Sequence, residues 1–391
     1  MVETNFKQTD LGKIPKDWDI AVLQDNITLK ARIGWQGLTT AEYRENGDYY
    51  LITGTDFKNG YIDWKNCVFV DKIRYDQDRN IQVKEKDILV TKDGTIGKVA
   101  YIDSISKPTT LNSGVFVLRI LNEKLDSRFI YYILMSFYFD NFLKQITAGS
   151  TITHLYQKDF IHFNFIVPPL PEQKAIAEVL SDTDHWITSL EYLIAKKQLI
   201  KQGAMQKLLT PKEDWEVKKL GEVCEILNNL RIPIKESERE KGNIPYYGAN
   251  GIQDFVNGYT HDGENVLLAE DGASDLNNYP VNYTMGKIWV NNHAHVLRGK
   301  NKILKTRFLS YLLKSIDFNN VLVGGTRAKL NKSVLENVEI IFPTLSKQEH
   351  IATILSDMDA EIETLEQKLT KAKQVKQGLM QKLLTGRIRL V

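Results

Sequence analysis

KQGAMQKLLT at residues 201–210 returns as KQGLMQKLLT at residues 376–385. Two near-identical decapeptides set 175 positions apart announce an internal repeat, and its extent decides the fold. Without a gap, Pro168, Leu170, Gln173, Ile176, Ala177, Leu180, Ser181, Asp182, Asp184, Ile187, Leu190, Glu191 and Lys196 each meet an identical residue at the same offset. The match reaches back to Leu155 with Leu330 and Gly149 with Gly324. Further upstream the copies diverge, although Pro15-Lys16-Asp17-Trp18 is echoed by Pro211-Lys212-Glu213-Asp214-Trp215. From tryptophan to glutamine the spans are 155 and 133 residues, which makes the first module 22 residues longer. The order is variable module (1–167), fixed helix (168–210), variable module (211–342), fixed helix (343–391).

The fixed segments read as helices because their apolar residues recur at spacings of three and four. Ile351, Leu355, Met358, Ile362, Leu365, Leu369, Ala372, Leu379 and Leu383 make a coiled-coil seam, with Lys376 the polar exception. The first copy is rougher: Ile176, Leu180, Thr183, Ile187, Leu190, Ile194, Lys197, Lys201, Ala204 and Leu208. Pro171 and Pro343 are expected just before the helices, and Gly203 and Gly378 are expected to kink or break them, since glycine costs roughly 1 kcal/mol relative to alanine there. A stripe of some 33 residues makes a rod of roughly 50 Å, longer than one module covers comfortably. The first helix ends where the second module begins, and that module ends where the second helix begins. Antiparallel pairing fits those connections. The expected fold is therefore mixed α/β (α+β): two globular domains separated by two long antiparallel helices. The alternative is that each helix folds onto its own neighbouring module.

Composition narrows the class without naming it. The hydrophobic fraction of 42% and charged fraction of 26% are ordinary for a globular protein, and the net charge is +2. Basic and acidic residues balance at 21 and 21 in 1–167, 5 and 5 in 168–210, and 17 and 17 in 211–342, so neither module carries the basic stripe usual for phosphate binding. Two distant cysteines, Cys67 and Cys224, imply no disulfide framework. Residues 1–19 lack the apolar core of a signal peptide and no run suits a membrane span, so a cytoplasmic location is expected.

Both modules read as many short strands. DILVTKDGTIGKVAYI (87–102) brackets an Asp93-Gly94 turn, a hairpin signal, and NVLLAEDGASDL (265–276) carries Asp271-Gly272. Residues 126–146 and 306–319 are helix-length apolar runs. Lys92, Thr95 and Lys98 around the first turn are candidates to face a nucleic acid, as are Tyr246, Tyr247 and Asn250, and Asn291, Asn292 and His293. Asparagine pairs bidentately with adenine, and arginine or lysine with guanine, though asparagine in a loop is also ordinary turn chemistry. The loops approaching the helices, AGSTITHL (148–155) and VGGTRAKL (323–330), present Thr151, His154, Thr326, Arg327 and Lys329 at equivalent places. Those residues either reach a nucleic acid or merely shape a glycine-rich corner.

No phosphate-cradling loop, dinucleotide fingerprint, nucleophile elbow or methyltransferase tetrapeptide is present. His293-Ala294-His295 has no cysteine or carboxylate companions at zinc-site spacing, and the two are expected on one strand face as structural residues. The chain is expected to do no chemistry alone.

PPLPEQKAIAEVLSDTD with KQGAMQKLLT, and PTLSKQEHIATILSDMD with KQGLMQKLLTG, resemble the two helical regions of the DNA specificity subunit of type I restriction–modification enzymes. IPYYGANGI (244–252) and NNHAHVLR (291–298) are similar to one class of that family's target-recognition domains. The resemblance covers essentially the whole chain. It implies that each module reads half of a bipartite, asymmetric site in double-stranded DNA and that the helix pair sets the unread spacer. It further implies docking of two methyltransferase subunits, which carry S-adenosylmethionine, and two restriction subunits, which use ATP and Mg, with no cofactor in this chain. Rival readings are a free-standing DNA-modifying enzyme and a coiled-coil scaffold that reads no DNA.

Overall fold

The computed structural model describes residues 5–147, 154–319, 322 and 329–390. The chain divides into two compact units, Met1–Ser189 with Leu369–Val391, and Leu190–Lys368. The helical segments are not units of their own, because the division cuts both long helices.

The first long helix runs Leu170–Leu209 and the second Leu345–Leu383. The expected break at glycine does not occur: both helices pass through Gly203 and Gly378, where a glycine costs stability without forcing a turn. Pro171 lies inside the first turn, where its missing N–H needs no intrahelical acceptor. The seam is real. Ile176, Leu180, Leu190, Ile194, Ile351, Leu355, Ile362 and Leu365 are buried, and Ile187, Met358 and Leu369 half-buried.

Pairing is antiparallel within each unit. In the first unit, Lys376 of the second helix reaches Asp184, and Arg389, just past that helix's end, reaches Glu172, so numbers fall along one chain segment as they rise along the other. In the second, Lys197 meets Glu361 at 2.6 Å and Lys201 meets Asp359. The helix ends are also woven into the module cores: Ile176 and Leu180 pack in one core with Leu383 and Leu384, and Leu209 with Ile351 and Leu355 in another.

The modules share one architecture despite their divergent sequences. The first has a four-stranded antiparallel sheet ordered Val99–Tyr101, Ile88–Thr91, Val115–Ile120, Ile27–Ala31. The second repeats it as Val281–Thr284, Asn265–Ala269, Ala294–Gly299, Cys224–Ile226. Each module adds a three-stranded sheet with one parallel pair, Thr109–Leu111 on Tyr49–Ile52 and Trp289–Val290 on Lys241–Gly248.

Alternation along the central strand explains the layering. Ile88 and Val90 enter one core with Phe129 and Ile133, while Leu89 enters another with Ile52 and Leu111. Val266 and Leu268 join Phe308, while Leu267 joins Val290 and Val296. The apolar run at 126–146 becomes two helices, Ser127–Leu134 and Phe137–Thr147, and the run at 306–319 becomes Thr306–Lys314.

A repeated glutamine seats each module on its helix. The Gln173 side chain accepts from the Asp126 N–H at 2.9 Å and donates to the Lys124 and Pro168 carbonyls at 3.0 and 2.8 Å. Gln348 accepts from the Lys305 N–H at 2.9 Å and donates to Ile303 and Pro343 at 3.0 and 2.8 Å. Its amide serves three backbone groups at once, which accounts for its survival in both copies.

Candidate nucleic-acid interface

In each unit the Asp-Gly loop and the end of the helix-approach loop meet. In the first, strands Ile88–Thr91 and Val99–Tyr101 pair as the hairpin signal predicts, but residues 92–98 form a loop longer than a two-residue turn. The Thr91 hydroxyl organises it, donating to the Thr95 carbonyl at 2.6 Å and accepting from the Lys98 N–H at 2.9 Å. Gly94 and Gly97 take φ of 68° and 80°, which favour glycine. Thr95 and Lys98 are left exposed.

Backbone bonds then splice this loop to its neighbours. The Lys92 N–H donates to Gly114 at 2.8 Å, and the Lys92 carbonyl accepts from Leu155 at 2.7 Å. The second unit repeats both, with Glu270 donating to His293 at 2.9 Å and accepting from Leu330 at 2.8 Å. Asp93 bridges His154, and Asp271 bridges Lys329, as isolated β-bridges. Side chains follow suit. His154 Nδ1 pairs with Asp93, and His293 Nδ1 lies 2.5 Å from Asp271. Two loops that share little beyond Asp-Gly thus carry an aspartate paired with a histidine that arrives from a different segment in each unit.

In the first unit Lys92 lies 5.4 Å from the Phe116 ring centroid, and His154 packs on Tyr156 at 4.5 Å with Lys158 at 5.6 Å from that ring. Tyr156 and Lys158 are exposed beside the predicted cluster. Sequence reasoning passed over them, although an aromatic next to a lysine just after the loop was a usable signal.

The second unit is held by a polar network. Arg231 donates to the Glu270 carboxylate at 2.7 Å and to the Ala294 carbonyl at 2.9 Å, and Lys329 lies 3.2 Å from Glu270. Burial alone would raise the Glu270 carboxyl; Arg231, with His295 and Lys329, outweighs it and holds the group below its ordinary value. His295 is fully buried, its Nε2 donating to the Leu330 carbonyl at 2.6 Å and its Nδ1 accepting from Asn228 at 2.8 Å. Burial pushes its pKa below the usual 6.5. Arg231 and Asn228 sat in a loop with no motif around them, so nothing in the sequence singled them out.

Several expectations are corrected. Tyr246 is 1% exposed and hydrogen-bonded to the backbone of Ile234, because it occupies the register position that Leu51 fills in the first module. Tyr247 is half-buried in the smaller core with Leu267 and Val290. Asn291 is buried and caps its own loop, accepting from the His293 N–H at 2.8 Å, as Asn112 does for Gly114 at 2.7 Å. Asn250 is exposed and also shapes its loop, donating to Gly272 at 2.9 Å and accepting from Ser274 at 2.8 Å. His293 and His295 do not share a face: the first is exposed and precedes the strand Ala294–Gly299, the second is interior. Asn292 is exposed. Thr151, Thr326 and Arg327 lie outside the described residues. Among the described residues no cluster of ligating side chains could hold a metal ion, and no helix is long and apolar enough to cross a membrane.

A tandem pair of α/β modules, each seated on antiparallel halves of two repeated helices and each carrying an Asp-Gly loop spliced to the segment that leads into its helix, defines a two-headed recognition protein. Residues 15–202 and 212–374 both match the type I restriction modification DNA specificity domain, and the chain belongs to that family. It is 28% identical over 433 residues to the type I restriction enzyme MjaVIII specificity subunit of Methanocaldococcus jannaschii, covering 99% of this chain and 97% of that one. A Haemophilus influenzae chain, provisionally named a type I restriction enzyme specificity subunit, is 50% identical over 157 residues, which span 40% of each chain. In structure, the type I restriction–modification S subunit of M. genitalium superposes with a TM-score of 0.69 at 19% identity, over 98% of this chain and 97% of that one.

Proposed function

We propose that this chain is the sequence-reading subunit of a type I restriction–modification assembly. Each module reads one half of a bipartite, asymmetric target in double-stranded DNA, and the helix pair carries the spacer length. The observation behind this is the constancy of the frame against the variability of the modules. The Gln173 and Gln348 seats and the loop splices recur bond for bond. The side chains they leave exposed or half-buried differ: Thr95 and Lys98 exposed with Lys92 and His154 half-buried on one, Asn292 and His293 exposed with Lys329 half-buried on the other. A frame that stays fixed while the side chains it presents vary is what reading two different half-sites requires.

The chain itself contributes no catalytic group. Methylation at adenine N6 would come from two methyltransferase subunits holding S-adenosylmethionine, and cleavage from two restriction subunits using ATP and Mg. Such partners would supply the phosphate contacts that the balanced charge of the modules leaves wanting.

Exchange of residues 215–342 for those of another member tests the reading. Methylome sequencing of a host carrying the exchanged chain should show one half-site replaced, with the other half-site and the spacer retained. Loss or change of both halves together would overturn it, and a motif that does not change at all would favour the scaffold.

A further inference from the structure

The repeated residues Asp184, Asp359, Lys201 and Lys376 exchange partners across the two copies. Asp184 on the first long helix accepts from the Tyr132 hydroxyl at 2.8 Å and pairs with Lys376 of the second helix at 2.5 Å. Asp359 on the second helix accepts from the Tyr311 hydroxyl at 2.6 Å and pairs with Lys201 of the first. Each carboxylate therefore ties three pieces of chain together: its own helix, the facing helix, and the module helix that carries the tyrosine, Ser127–Leu134 or Thr306–Lys314.

We infer that these two Tyr–Asp–Lys triads are positioning residues that set spacer-length discrimination. A seam of leucine and isoleucine tolerates sliding, whereas a polar group placed in it specifies register. A shift of one helical residue moves a side chain by about 1.5 Å along the axis, enough to break a hydrogen bond near its ideal length. Because the same carboxylate holds the facing helix and the module, helix register and module seat cannot drift independently. The first triad is the more buried one. Asp184 and Lys376 are 8% and 17% exposed, against 38% and 18% for Asp359 and Lys201. The sequence supports the assignment: the aspartates and lysines are identical in both copies, although Lys376 is the one polar residue in the second seam and Lys201 lies in the rougher first stripe with Thr183 and Lys197.

The inference rests on the proposed reading of bipartite DNA. The full chain, assembled with its methyltransferase partner, would be assayed on targets with intact half-sites and spacers up to two base pairs shorter or longer. Tyr132→Phe with Tyr311→Phe removes only the hydroxyls, and Lys201→Met with Lys376→Met removes only the helix cross-links. Both pairs should lower discrimination against a one-base-pair error at least tenfold and leave base preference in each half-site unchanged, while Lys201→Arg with Lys376→Arg, which keeps the cation, should retain the parent discrimination. Unchanged discrimination, or equal weakening on every spacer, would overturn the inference by showing a merely structural role. A parent assembly indifferent to the spacer would instead overturn the bipartite reading beneath it.

Discussion

His295 carries a pH dependence that can be worked out from its surroundings. It is buried beside Asn228, the Leu330 carbonyl and the Glu270–Arg231–Lys329 group, and burial depresses its pKa; His261, held by Thr260 and the Leu227 carbonyl, is depressed for the same reason. A histidine with a depressed folded pKa binds its proton more readily in the unfolded chain. Stability is therefore full above the ordinary value of 6.5 and is lost as pH falls below it. Urea unfolding should show an unfolding free energy that drops between pH 7.5 and 5.5, by up to about 1.4 kcal/mol per pH unit for each histidine. His295→Gln should start less stable and lose less on acidification. A flat profile would mean that these rings are protonated in place. Such residues mark where sequence reading falls short. The pair His293-Ala294-His295 was visible, but the strand begins at Ala294, which places one ring in solvent and the other in the core. Tyr246 and Asn291 looked like binding residues because aromatic and amide side chains serve interiors and interfaces alike, and only the register with Leu51 and Asn112 separates the two uses.

At the level of elements, the helices were the most legible, because a seam at spacings of three and four leaves a strong periodic trace. The paired strands around Asp93-Gly94 were legible as well. What escaped was the common architecture of the modules: no gapless alignment reaches the strands, since the first module inserts most of its extra residues between Ile52 and Ile88, against Tyr247 to Val266 in the second. Breaks at Gly203 and Gly378 were expected from propensity alone, but tertiary packing carries both helices through. Neither glycine has a neighbour within 4 Å of where a Cβ would stand, so no steric need within the described residues retains them. Gly203→Ala and Gly378→Ala should each add up to about 1 kcal/mol, raising the thermal midpoint by about 2–4 °C per substitution. Calorimetry of the two single variants and the double variant would check this, and a fall in midpoint would show that the helices need the flexibility.

On the scale of the whole molecule, the two copies differ in how the end of a long helix meets the start of a module. After the first helix the chain runs covalently through Thr210 and Pro211 to Trp215. After the second, Gly386 lies against Pro15 and Trp18 without a bond between them, and Arg389 closes the junction. Its guanidinium donates to Glu172 at 2.6 and 2.8 Å and to Asp17 at 3.0 and 2.6 Å, and it holds the Asp17 carboxyl below its ordinary value. Glu172 is fully buried and also accepts from Trp18 Nε1 at 2.9 Å. At the covalent junction the corresponding position is Lys347, paired with Asp214 at the surface at 2.5 Å, and Trp215 Nε1 is buried without an acceptor among the described residues. A bond in one copy is thus replaced by an ion cluster in the other. Arg389→Met leaves Glu172 buried without a cation, answered by Trp18 Nε1 and, at 3.4 Å, by the Leu390 N–H. The cost should be about 2–3 kcal/mol, under the roughly 3–5 of a fully enclosed pair because Asp17 sits at the surface. Lys347→Met breaks an exposed pair and should cost under about 1 kcal/mol. Hydrogen exchange read strand by strand separates the two. Arg389→Met should lower protection in Ile88–Thr91 and Val115–Ile120 while Asn265–Ala269 and Ala294–Gly299 keep theirs. Equal loss in both units would mean that the cluster does not act locally and that the chain unfolds as a single cooperative body.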